Sequence, residues 1–163
     1  MEDPYSYRSA RALLEDVRAA ALDADRISRT IERYESREGV RAQGYGPRPD
    51  GRRADAMRAT DARIDYESRV RQRRKDDYAL IDVGSALAYG GDQRGSGGVG
   101  ALLGPTYADV VWWRFCAGST WDRVSREVGM SKRWCQEAAD AAIDEIDHYG
   151  IWRMLAGVGR AEG

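Results

Sequence analysis

The sequence predicts an all-α protein: an N-terminal helical hairpin or coiled-coil bundle followed by a C-terminal helix-turn-helix unit. Three observations carry that expectation. Charged residues make up 33% of the 163-residue chain, with one Phe and four Pro, a mixture that suits long solvated helices better than packed sheets. Apolar residues recur at helical spacing along the first third of the chain. Near the C-terminus, two apolar-periodic stretches flank the turn Val128-Gly129-Met130-Ser131, the length and turn chemistry of two short helices packed at an angle.

The first helix is expected from about Ser6 to Arg37. Leu13, Val17, Ala20, Ala24, Ile27, Ile31 and Tyr34 follow alternating steps of four and three, the seam of a coiled coil. Either a second copy covers that seam or the helix folds back on its own chain. Gly39 to Gly51, with four glycines and two prolines, reads as a loop. A second helix is expected from about Arg53 to Tyr78 and a short third from Tyr78 to Tyr89. The run Arg69 to Lys75 holds five cations in seven residues; spread around a helix, these read as a salt-bridged solvated face, with phosphate contact as the alternative. From Gly90 to Gly100, six of eleven residues are Gly without phosphate-loop spacing, which reads as a flexible hinge. The expected organisation is therefore a self-associating bundle over residues 1–89, a linker over 90–103, the helix-turn-helix unit over 104–150 and a tail over 151–163.

In the C-terminal unit, Ala108, Val111, Trp112 and Phe115 lie at i, i+3, i+4 and i+7, and Ala117-Gly118 ends their helix. Ser119-Thr120-Trp121-Asp122 supplies an N-cap with an acidic residue three positions on. Trp121, Val124, Ser125 and Val128 form the inner face of the next helix, which stops at Gly129. Ser131 caps a helix running to about His148, with Cys135, Ala138, Ala139, Ala142, Ile143 and Ile146 inside. Met130 is the apolar plug of the turn, and Ser125 is small where the two helices cross. Lys132, Arg133, Trp134, Gln136 and Glu137 are left on the outside of the leading turn. Lys and Arg reach phosphates or guanine edges and Gln reads adenine, so these residues, with Arg123, are the candidate DNA contacts. Trp134 either meets DNA or packs on Trp112 or Trp113.

Arg114-Phe115-Cys116-Ala117-Gly118-Ser119-Thr120-Trp121-Asp122-Arg123-Val124-Ser125 resembles the R-[YF]-x-x-G-x-[ST]-W-x-x-[IV]-[AS] signature of phage transcriptional regulators of the RinA and ArpU type. The stretch Thr120 to Ile146 is also similar to region 4 of sigma factors. The resemblance covers about 45 residues and implies a protein that binds promoter DNA and activates late phage genes in the cytoplasm of a bacterial host. The partners expected are double-stranded DNA, RNA polymerase and a second copy of the chain, with a dimer favoured.

Net charge is −1, no global signature of nucleic-acid binding. Residues 1–78 hold 18 Lys+Arg against 16 Asp+Glu, and residues 105–150 hold 5 against 8. A unit so balanced makes few phosphate contacts, so weak monomeric binding is expected, strengthened by dimerisation or by contact with polymerase. Other classes have less to stand on. One histidine (His148) and two cysteines at apolar positions (Cys116, Cys135) cannot assemble a zinc site, and no nucleophile motif occurs, so no enzyme, cofactor or metal is expected. The cysteines read as reduced core thiols. No window of 18 apolar residues and no basic-apolar leader occurs. Two alternatives remain: a terminase small subunit that recognises genomic DNA for packaging, and an interaction module whose acidic last helix touches only protein.

Overall fold

The computed structural model describes residues 6–41, 50–91 and 97–157, and among these residues it is all-α. Helix α1 spans Ala10–Arg41, α2 Asp50–Tyr89, α3 Gly98–Leu103 and α4 Pro105–Val111; a π-helical turn follows at Trp112–Cys116, then α5 Trp121–Val128, α6 Lys132–Tyr149 and α7 Ile151–Ala156. Both ends of the loop expected over 39–51 are helical. Residues 39–41 continue α1 and Asp50-Gly51 begin α2, while 42–49 lie outside the described residues. The two helices expected on either side of Tyr78 are one. Asp76-Asp77 supplies no breaker, and nothing between Lys75 and Tyr89 lacks a backbone donor, so the helix runs through.

The chain divides into two units, Met1–Leu22 with Asp77–Gly163 and Asp23–Asp76, rather than at a linker before residue 104. The reason lies in α1 and α2, each of which contributes to both units. In the first unit a single core gathers Leu13, Leu14 and Val17 of α1, Leu87 and Ala88 of α2, Val99 of α3, and Ala108, Val110 and Val111 of α4. It continues through Phe115, Val124 of α5, the inner face of α6, and Ile151 and Met154 of α7. The tail over 151–163 is thus helical through Ala156 and packed, with 158–163 outside the described residues. In the second unit Ile27, Ile31 and Val70 form a small cluster of their own. Around it Arg73 grips Asp23 through two hydrogen bonds of 2.9 and 3.0 Å, Arg71 reaches Glu35 at 3.3 Å and Arg74 donates to Ser28 at 3.2 Å. The cationic run of α2 therefore serves as the salt-bridged face of a hairpin. The α1 seam is also used internally: Leu13, Val17, Ala20, Ala24, Ile27 and Ile31 are all buried, and half-buried Tyr34 meets Tyr66 edge-on at 6.2 Å. Of the two ways to cover that seam, the chain uses itself.

Part of the segment expected as a linker over 90–103 is built into the core. Residues 92–96 lie outside the described residues, but Gly98–Leu103 is helical, and Gly98 and Val99 are buried. Gly97 donates its amide to the Tyr89 carbonyl at 3.0 Å, and a Cβ on Gly98 would stand 2.6 Å from the Leu87 carbonyl oxygen at a φ of +66°. These glycines let two backbones touch. Gly98→Ala combines left-handed strain with a backbone collision and is expected to lower stability by about 2–5 kcal/mol. Thermal unfolding checks it, and an unchanged melting temperature would mean that the segment is free of the core. Gly84 does similar work inside α2, where a Cβ would lie 2.7 Å from Val17 Cγ1 and 3.0 Å from Cys116 Sγ. Both cysteines are buried free thiols, and burial, with a smaller effect from Asp82, pushes Cys116 up to about 12.

Candidate nucleic-acid interface

The last part of the first unit holds the leading turn of α6 in place through its caps. Thr120, not Ser119, is the N-cap of α5, its hydroxyl accepting from the Arg123 amide at 3.3 Å. Gly129 closes α5 in the left-handed conformation (φ 77°, ψ 24°), which Gly adopts at little cost. Ser131 then caps α6, accepting from the Trp134 amide at 3.1 Å. The turn between the helices is locked by a contact different from the expected apolar plug. Met130 is exposed, and its carbonyl accepts a 2.6 Å hydrogen bond from Ser125 Oγ. A small polar residue at 125 thus allows the crossing and ties it.

The helix leading into α5 is not the uniform three turns expected. From Trp112 to Cys116 it widens to a π turn, with Ala117 donating to the Trp112 carbonyl at 2.9 Å and Ser119 to that of Trp113 at 3.1 Å. Val110, ahead of the turn, and Phe115 and Cys116 within it are all buried, while Trp112 and Trp113 are half-buried and pack edge-to-face with each other at 5.0 Å. Trp121, expected in the core, is half-buried instead. The Arg114 guanidinium covers its ring at 4.4 Å and donates to the Ser119 carbonyl at 3.0 Å. Burial, and then the nearby Arg18 charge, makes Arg114 easier to deprotonate than an exposed arginine, partly offset by Glu15.

α6 buries Cys135, Ala138, Ala139, Ala142, Ile143 and Ile146, the face expected. Lys132, Arg133, Gln136 and Glu137 are exposed on the other side of its first turns, and Arg123 is exposed on α5. Trp134 departs from this set. It is half-buried and edge-on to Tyr107 at 5.3 Å, neither free in solvent nor against Trp112 or Trp113.

Lys132, Arg133 and Arg123 each have a carboxylate beside them. Lys132 Nζ lies 3.0 Å from Asp122, Arg133 Nε 3.1 Å from Glu137 and Arg123 Nε 3.9 Å from Glu127. The Arg123 guanidinium also lies 5.5 Å from the Trp113 ring centroid. The two pairs at i,i+4 are readable in the sequence. The Lys132–Asp122 pair crosses the turn and is not. Such exposed pairs contribute about 0–1 kcal/mol each, so they aim the cations without consuming them.

The acidic second half of α6 has a local explanation. Asp147 Oδ1 accepts from the Ala10 amide at the start of α1 (2.7 Å), and Asp140 pairs with Arg11 at 2.7 Å. These carboxylates clamp α1 to α6 beyond the exposed leading turn. At the other end of the core, Tyr89 donates to Asp109 at 2.6 Å, and burial followed by that bond raises its pKa.

Among the described residues, no group of three or more His, Cys, Asp or Glu could hold a metal ion, and no helix is long and apolar enough to cross a membrane. Compared with known proteins, the chain matches no family model, and no curated protein or solved structure is significantly similar to it.

Proposed function

We propose that the chain is a sequence-specific DNA-binding regulator of transcription, with α5 and α6 as a helix-turn-helix and the leading turn of α6 as its reading element. One observation carries the reading: Lys132, Arg133, Gln136 and Glu137 stand in solvent at the Ser131-capped start of a helix whose opposite face is sealed in the core. A helix seated this way, with exposed cations and an exposed amide side chain on its first turns held only by weak surface pairs, has the chemistry for a major groove. In that groove Arg133 and Lys132 bind guanine O6 and N7 or a phosphate, Gln136 pairs with adenine and Glu137 accepts from a cytosine amine. Arg123, on the first helix of the pair, reaches the adjoining backbone. Trp134 acts as a pivot on Tyr107 rather than as a reader.

A phosphate displaces the exposed carboxylate partners, and three such contacts give a log–log salt slope of about −3. Binding by one unit is therefore weak, and contact with RNA polymerase or a second copy supplies the remainder. The buried α1 seam is not the surface that pairs copies. In this reading the protein acts on promoters of late phage genes in a bacterial cytoplasm and has neither catalytic group nor cofactor. The test is selection from random duplexes with the full chain at low salt. Enrichment of a short consensus is expected; recovery of an unenriched pool would contradict it.

A further inference from the structure

The units differ in charge. Residues 23–76 carry 15 Lys+Arg against 11 Asp+Glu, a net of +4, while the rest of the chain carries 11 against 16, a net of −5. Within the basic unit the cations of the two helices are used differently. On α2, Arg71, Arg73 and Arg74 are bound to α1. On α1, Arg26, Arg29, Arg33 and Arg37 are exposed along one ridge, about 120° around the helix from buried Ile27 and Ile31. Arg29 pairs with Asp25; Arg26, Arg33 and Arg37 have no carboxylate partner among the described residues. Arg33 donates to the Thr30 hydroxyl at 3.4 Å.

We propose that this arginine ridge binds the phosphate backbone of duplex DNA without regard to sequence. Steps of three and four residues space the guanidiniums about 5–6 Å apart along the helix, and each presents a planar fork that matches a phosphate. The ridge supplies the non-specific affinity that the acidic first unit lacks, and so extends the DNA-binding reading of α6 without sharing a residue with it. Its occupant is a polyanion because, among the described residues, three of its four cations have no ion-pair partner, and the single exposed carboxylate lying among them, Glu32, leaves the ridge net positive.

The test is binding of the full chain to random-sequence duplex between 50 and 200 mM salt. The triple variant Arg26→Ala, Arg33→Ala, Arg37→Ala keeps good helix formers at exposed positions. Its log–log salt slope is expected to become shallower by about 3, one unit for each lost contact, with unchanged helical circular dichroism. The corresponding triple Lys variant is expected to keep the slope of the parent. No binding of random duplex by the parent, an unchanged slope in the Ala variant, or a loss that Lys does not rescue would each overturn the proposal. The α6 reading fails separately: its sign would be a duplex selection without a consensus while random-duplex binding still depends on the ridge.

Discussion

Lys132→Ala combined with Arg133→Ala is expected to abolish retention of a selected duplex on the protein while leaving the fold intact. Both side chains are exposed, so the effect on stability stays within about 0.5 kcal/mol each, a shift of roughly 1–2 °C per residue in melting temperature. The effect on binding is larger for two reasons. The variant loses two cations from the leading turn, each contributing about 1–3 kcal/mol of contact to a base edge. It also leaves Asp122 and Glu137 without Lys132 and Arg133 beside them, so two carboxylates then face the phosphates. A loss of about 2–6 kcal/mol, roughly 30- to 20,000-fold in affinity, takes an already weak site below detection in a gel. Retention equal to that of the parent chain would place the contact elsewhere.

Phe115→Ala has the largest expected effect on the fold. Phe115 is only 2% exposed and is among the largest fully enclosed side chains of the first unit. It lies in the π turn, whose widened geometry sets Trp113 against Arg123 and Arg114 against Trp121. Removing the ring opens a cavity among side chains from several helices, which cannot all collapse onto it, and about 3–5 kcal/mol of stability is lost. Urea unfolding reads this as a lower midpoint at unchanged slope. Trp152→Ala is the control: with its side chain 62% exposed, it is expected to change stability by less than about 0.5 kcal/mol. A loss under about 1 kcal/mol at Phe115 would mean that the π turn is not anchored by its ring.

The parts legible in the sequence are those governed by local rules. Gly129 and Ser131 mark the end of α5 and the start of α6 because a left-handed cap and a hydroxyl cap depend on one residue each. The inner face of α6 follows from its period, and the exposed contact residues follow as the remainder. Longer-range arrangements were less legible. Nothing in one sequence announces a π turn, and the half-burial of Trp121 under Arg114 appears only with it. The continuity of α2 past Asp77 is hidden by a composition without a clear apolar stripe. The glycines at 90, 97 and 98 look like slack chain until the Leu87 and Tyr89 carbonyls are found against them. Asp140 and Asp147 read as charge opposed to DNA, whereas their partners, Arg11 and the Ala10 amide, lie more than a hundred residues away. The Asp122–Lys132 pair needed the turn geometry before its partners could be matched.

Sequence-specific DNA binding by this chain requires that the first turn of α6 meets the duplex. Amide and indole NMR titration of the full chain with duplex DNA at low salt tests it most directly. The largest shifts are expected on Arg123, Lys132, Arg133 and Gln136, with α7 and the Asp140–Asp147 face of α6 unmoved. Binding that leaves the signals of residues 131–137 unchanged would contradict it.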